Sequence, residues 1–310
     1  MAVYVLDLMT PRAMEALEGH AEVVPHGDPE VRNWPERAQA IIVRSSPAPG
    51  PMIAASKRLK VIAKHGVGVE KIDLEVARAK GVRVVNVPGG SAQTVAELAI
   101  GLTVAAARMF PLADRRLRRG QVDNRDVFHG LELHGKRLGV VGFGNLGQRV
   151  AETFRGAFAM TPSAYDPYAE PETFRAHGVA RVILLDELMQ GTDVLVVCAP
   201  LTADTVGLIG RREISLLHSG AIFINVSRGR IVDETALAEA LSTGRLWGAG
   251  ADVFSVEPPP SDHPLVQLPN FVSAPHMGAQ TLEALDRVGL SVVEQVITVL
   301  EGGEPRFPVV

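Results

Sequence analysis

Short apolar runs alternate with helically spaced segments along almost the whole chain. Val3–Leu6, Glu22–Val24, Ala40–Val43, Leu59–Ala63 and Arg83–Val85 read as strands. Helices fit between them over Pro11–Glu18 and Asp73–Ala79, the second with an aspartate at its start and Gly81 just past its end. Thr94–Met109 reads as a long, mostly apolar helix that suits a buried element, and residues 111–136 as a polar, arginine-rich connection. Strands then recur over 138–142, 163–165, 194–198, 221–226, 248–253 and 271–274. Leu282, Leu285, Val288, Val292, Val296 and Val299 follow helical spacing up to Gly302. This alternation predicts parallel α/β architecture; no solenoid-period repeat interrupts it, and Pro258-Pro259-Pro260 marks a stiff loop.

The most informative stretch is Val140-Val141-Gly142-Phe143-Gly144-Asn145-Leu146-Gly147, with Asp166 nineteen residues beyond Gly147. Gly142 allows a tight turn out of a strand, Gly144 lets backbone approach a pyrophosphate, and Gly147 lets the next helix pack closely. That helix is read over Gln148–Phe154, and the free N–H groups at its start, with its partial positive end, suit an anion. Asp166 ends a second short strand, where a carboxylate can hold a ribose 2′-hydroxyl and repel a 2′-phosphate. With no arginine just after it, NAD is expected rather than NADP. No Gly-Lys-Ser/Thr follows the glycines, which excludes a P-loop.

Composition narrows the setting. The 310 residues are 46% hydrophobic and 21% charged, enough for two globular domains. A net charge of −4 gives no electrostatic reason to expect nucleic acid or an anionic membrane as partner. Arg115-Arg116-Leu117-Arg118-Arg119 reads as a solvated helix face or contact surface. The single cysteine, Cys198, rules out a disulfide framework and a cysteine metal site, and no metal is expected. No apolar stretch approaches the ~20 residues of a membrane helix. The chain starts on a strand without a basic leader, so a cytoplasmic location is expected.

Three polar side chains follow strand ends of the second unit: Arg228 after Ala221–Val226, Glu257 after Ala249–Phe254, and His276 after Phe271–Ala274. Ligands of open α/β sheets bind outside the carboxyl ends of the strands, so the trio shares a rim with the expected nucleotide. Such a trio suits hydride transfer to a carbonyl. An imidazole exchanges the proton, a carboxylate orients it and favours its charged form, and a guanidinium clamps the substrate carboxylate.

With these residues in view, the chain resembles the D-isomer-specific 2-hydroxyacid dehydrogenase family. The likeness rests on Val141–Gly147, on Asn225-Val226-Ser227-Arg228-Gly229-Arg230-Ile231-Val232-Asp233, on Gly250–Phe254 with Glu257-Pro258, and on Pro275–Ala279. It implies two doubly wound parallel-sheet domains. A Rossmann cofactor domain (100–281) would be inserted into a flavodoxin-like substrate domain (1–99 plus 282–310), with a cleft between them that closes on substrate. It implies Arg228, Glu257 and His276 as catalytic residues, and NAD held by Gly142, Gly144, Asn145, Leu146, Gly147 and Asp166. Thr94, Cys198, Pro200, Thr205, Val226 and Asp252 would complete the cofactor site, Thr94 beside the nicotinamide and Asp252 at its carboxamide. Gly66, Val67 and Gly68 would offer N–H groups to a substrate carboxylate, with Arg44, Ser45, Lys64 and His65 facing the same cleft. The implied partner is a small anionic 2-keto or 2-hydroxy acid, and the implied assembly a homodimer through the segment after the long helix. Glu70 and Met277 depart from the usual aspartate and isoleucine or leucine. The chain ends at Val310, so feedback control by serine is not expected. The alternative reading is an NAD(H)-sensing, corepressor-like binding protein on the same fold. Glu257 argues against formate dehydrogenase, which carries glutamine beside its histidine.

Overall fold

The computed structural model describes residues 1–121 and 124–310, so Val122 and Asp123 of the expected 111–136 connection lie outside the described residues. The chain forms two compact units, Met1–Ser91 with Ala279–Val310, and Ala92–Gly278. The expected divisions at 99/100 and 281/282 therefore move to 91/92 and 278/279. The first shift has a plain cause. Ala96, Ala99, Leu102, Ala106 and Ala107 of the helix Ala92–Ala107 bury into the core of the second unit, so the helix stays whole there.

The first unit holds β1 (Ala2–Val5), β2 (Glu22–Val24), β3 (Ala40–Val43), β4 (Val61–Lys64) and β5 (Arg83–Val85). All pair in parallel in the order β2-β1-β3-β4-β5, the flavodoxin-like order. One face is covered by the helix Leu282–Leu300, whose Val288, Val292, Val293 and Val296 pack on Val3, Val5, Ile42 and Val61. Trp34, Ile53, Ile62 and Ala77 fill the other face. Burial of β3 at every position matches a sheet covered on both sides.

The second unit holds β6 (Arg137–Val141), β7 (Thr161–Tyr165), β8 (Ala180–Arg181), β9 (Val194–Val197), β10 (Ile222–Asn225), β11 (Gly248–Ala251) and β12 (Phe271–Ser273). Their parallel order, β12-β11-β10-β9-β6-β7-β8, reverses direction between β6 and β9. That is the doubly wound dinucleotide-binding order with one strand added at the β12 edge. The turn after β6 lies at the reversal, where such sheets take their ligands.

The arginine-rich connection is partly helical, over Phe110–Arg118. Arg118 pairs with Asp114 at 2.9 Å, and the Arg116 guanidinium lies over the Phe128 ring. Among the described residues, no single helix is long and apolar enough to cross a membrane. Ala92–Ala107 and Phe110–Arg118 meet that test only as a pair, bent by 63°.

Candidate active site

The three fingerprint glycines have different reasons to be glycine. Gly142 has φ +91°, and a Cβ there would lie 2.5 Å from the Ala199 backbone beyond β9. A Cβ on Gly147 would meet the Gly142 carbonyl at 2.0 Å, so only glycine lets the helix Asn145–Phe158 seat on the turn. A Cβ on Gly144 would meet nothing within 4 Å. The protein leaves open space at Gly144 over a helix N-terminus that has no side-chain cap, as a pyrophosphate requires. These residues fit a dinucleotide.

Asp166 does more than the sequence implies. Its carboxylate accepts N–H groups from Phe143 at 2.7 Å, Tyr168 at 2.9 Å and Ala169 at 3.1 Å. It thus pins the glycine turn to the end of β7. A carboxylate has about four lone-pair sites, so acceptor capacity remains for a ribose hydroxyl. Other expected cofactor residues line the ends of β9 and β10. The Cys198 N–H donates to the Val141 carbonyl at 2.7 Å, and burial pushes the Cys198 thiol up. The Thr205 hydroxyl donates to the Pro200 carbonyl at 2.6 Å and accepts the Thr202 N–H at 2.7 Å, closing the 200–205 turn. Val226 and Thr94 are buried.

Arg228, Glu257 and His276 follow β10, β11 and β12, three neighbouring strands. Glu257 Oε2 lies 2.7 Å from His276 Nδ1. An ionised carboxylate only accepts, so Nδ1 carries the proton of this bond and Nε2 is left for chemistry. The segments holding Arg228 and Glu257 touch through backbone, since a Cβ on Gly229 would lie 1.9 Å from the Phe254 carbonyl carbon. Arg228 Nη1 donates to the Ser227 carbonyl at 2.8 Å, and the Arg228 carbonyl accepts from Asn225 Nδ2 at 3.1 Å.

His276 has φ +54°, a left-handed conformation that costs a side-chain-bearing residue about 1 kcal/mol or more. Asp252 holds it there. Its carbonyl accepts the His276 N–H at 2.8 Å, and its carboxylate oxygens accept the N–H groups of Met277 at 2.7 Å and Gly278 at 2.8 Å. Asp252 is 2% exposed, and burial pushes its carboxyl up despite those two bonds.

In the first unit, Asp7, just beyond β1, is a residue that sequence reasoning missed. Its half-buried carboxylate accepts N–H groups from Arg44 at 2.6 Å, Ser45 at 3.0 Å and Ser46 at 3.0 Å, and the Ser46 hydroxyl at 3.0 Å. Burial pushes the Asp7 carboxyl up, but these bonds outweigh it and hold the group below its ordinary value. Lys64 Nζ donates to the Arg44 carbonyl, and Lys71 Nζ to that of Ser45 at 3.0 Å. His65 is buried, which lowers its pKa, helped by the charge of Arg44. Beyond it, the Gly66 carbonyl accepts the Val87 N–H at 2.8 Å and the Val67 carbonyl accepts from Asn86 Nδ2 at 2.8 Å. The loop's carbonyls are thereby tied, and among the described residues its N–H groups at 66–68 take no protein acceptor.

Residues 100–278 match the family described as D-isomer specific 2-hydroxyacid dehydrogenase, NAD binding domain. D-3-phosphoglycerate dehydrogenase of Methanocaldococcus jannaschii is 44% identical over 86% of this chain, which spans half of that relative's length. Hydroxypyruvate reductase of Thermotoga maritima is 39% identical over 93% of the chain and 92% of its own length. A crystal structure of a protein from Thermus thermophilus superposes with a TM-score of 0.91 at 35% identity, covering both chains completely. A matched NAD binding domain with its glycine turn intact, together with relatives aligned nearly end to end, places this chain in the D-isomer specific 2-hydroxyacid dehydrogenase family.

Proposed function

We propose that this protein is an NAD-dependent D-2-hydroxyacid dehydrogenase, interconverting a small anionic 2-keto acid and its D-2-hydroxy acid. The observation that carries the reading is the 2.7 Å bond between Glu257 and His276, on adjacent strand-end loops of an NAD binding domain. Bound NADH supplies a hydride to the carbonyl carbon of the keto acid. His276 Nε2 gives the carbonyl oxygen its proton, and takes the hydroxyl proton back when the alcohol is oxidised. Glu257 fixes the tautomer and the orientation of the ring, so that Nε2 faces the carbonyl oxygen. Arg228 receives the substrate carboxylate as a fork and polarises the adjacent carbonyl.

Asp166 is assigned to the ribose, and Asp252 to the nicotinamide carboxamide beside its structural duty. Thr94, Cys198, Pro200, Thr205 and Val226 complete the cofactor site. In the first unit, the N–H groups of 66–68 suit an anion, and Arg44, Ser45 and His65 belong to the same strand-end rim. A homodimer in the cytoplasm fits this reading.

The test is NADH consumption with a panel of small, aromatic, phosphorylated and dicarboxylic 2-keto acids. Turnover of at least one acid is expected. Tight NADH binding with no turnover of any of them would favour the sensor reading instead.

A further inference from the structure

Helix Glu234–Ser242 opens with an acid that the reaction does not use. Glutamate in a first helical turn ordinarily serves the helix dipole from a solvated position. Glu234 does not: its side chain is 14% exposed, and both oxygens turn onto another loop. Oε1 accepts the Ser255 N–H at 2.7 Å, and Oε2 accepts the Ser255 hydroxyl at 2.6 Å. His263 Nε2 lies 3.2 Å from the same Oε2, and its Nδ1 is buried without a partner among the described residues. The His263 ring also packs edge-on against Phe254, with centroids 5.5 Å apart.

The gripped residue stands two positions before Glu257. The Phe254 N–H donates to Glu257 Oε1 at 3.1 Å, and Glu257 Oε2 meets His276 at 2.7 Å. On another side, Gly229 backbone abuts Phe254 and Ser255 so closely that no Cβ fits. The 254–257 turn is thus held between a backbone wall and a two-oxygen grip. We propose that Glu234, backed by His263, is a positioning residue that sets the aim of Glu257 at His276. Its carboxylate touches neither reacting group; it acts through Ser255.

This inference rests on the proposed role of His276, so its test reads geometry and turnover separately. Histidine-selective 15N labelling of the free protein follows the His276 Nδ1–H proton, assigned by its absence in His276→Asn. The resonance should be downfield in the wild-type protein, broadened or lost in Glu234→Ala, and partly restored in Glu234→Gln, which keeps an acceptor for Ser255. In the same variants kcat should fall about tenfold to a hundredfold in Glu234→Ala, because a loosened aim costs transition-state geometry. KM for the keto acid should change less than about threefold. Should Glu234→Ala fail to fold, Ser255→Ala, which removes only the hydroxyl half of the grip, carries the test with a smaller loss in the same direction. An unchanged His276 resonance in folded Glu234→Ala, or in both Glu234→Gln and Ser255→Ala, overturns the proposal, as does a wild-type protein lacking that resonance. A wild-type protein that shows the resonance and turns over no keto acid instead overturns the functional reading alone.

Discussion

Asp7 and Asp252 do one job in the two units under different conditions. Each ends or follows a parallel strand and grips backbone N–H groups of the loop after another strand: Asp7 those of 44–46, Asp252 those of 277–278. Asp7 is half-buried and has four donors, and its carboxyl is held below the ordinary value. Asp252 is almost fully buried with two N–H donors on its carboxylate, and its carboxyl is pushed up. Desolvation and donor count oppose each other, and the number of donors per degree of burial decides which wins. The first unit uses the device to secure a loop at its rim. The second uses it to keep His276 in a conformation that residue would not adopt alone.

Removing Asp252 should have the largest effect. Asp252→Ala should cost about 2 kcal/mol, because the N–H groups of Met277 and Gly278, the second of them buried, lose their acceptor. It should lower kcat about a hundredfold or more as His276 loses its aim, measured by urea unfolding and steady-state rates. Wild-type kcat in a folded Asp252→Ala protein would show that the carboxylate does not position the histidine. A third acid of the same kind comes next. Asp166→Ala should raise KM for NADH about tenfold and narrow the preference for NADH over NADPH, because the change loosens the glycine turn and removes the group that repels a 2′-phosphate. An unchanged ratio of kcat/KM for the two cofactors would mean that Asp166 serves the turn alone.

Asp7→Ala should cost about 2 kcal/mol, leave kcat near wild type, and raise KM for the keto acid severalfold as the 44–46 loop relaxes. Equal losses in kcat and KM would contradict a role confined to binding.

The smallest effect separates the two acids by sign. A carboxyl held below its ordinary value of about 4 stabilises the fold above that pH, and the contribution fades as pH falls through the folded value. A carboxyl pushed up does the reverse, and its charge burdens the fold once pH rises past the ordinary value. The stability gap between wild type and Asp7→Asn should therefore widen as pH rises from about 2 to about 5, whereas the gap for Asp252→Asn should narrow as pH rises above about 4. Urea unfolding across those ranges checks both, and parallel trends would remove the distinction.

Much of this was legible in the sequence because the signals are local. Runs such as Val194–Val197 are buried at every position, so their composition announces a sheet covered on both faces. Gly142 and Gly147 are dictated by backbone contacts of the turn itself, and the turn falls where the strand order reverses. Arg228, Glu257 and His276 were visible as polar residues just beyond apolar strands. What stayed hidden depends on contacts distant in sequence. Asp7 grips residues 37 to 39 positions away, and Glu234 grips Ser255 21 positions away. Short helices such as Gly50–Ala55 and Leu185–Gln190 have too few turns to impose a readable period. For the helix Phe110–Arg118, the arginines suggested a solvated helix face, but the start at Phe110 was hidden inside a polar connection.

The most direct test of the account is one comparison at His276. His276→Asn should bind NADH, followed by its fluorescence, within about threefold of wild type, since the cofactor rests on the β6 turn. Single-turnover reduction of the best keto acid should meanwhile slow about a thousandfold. Retained turnover, or loss of NADH binding together with turnover, would contradict the assignment of the proton to this imidazole.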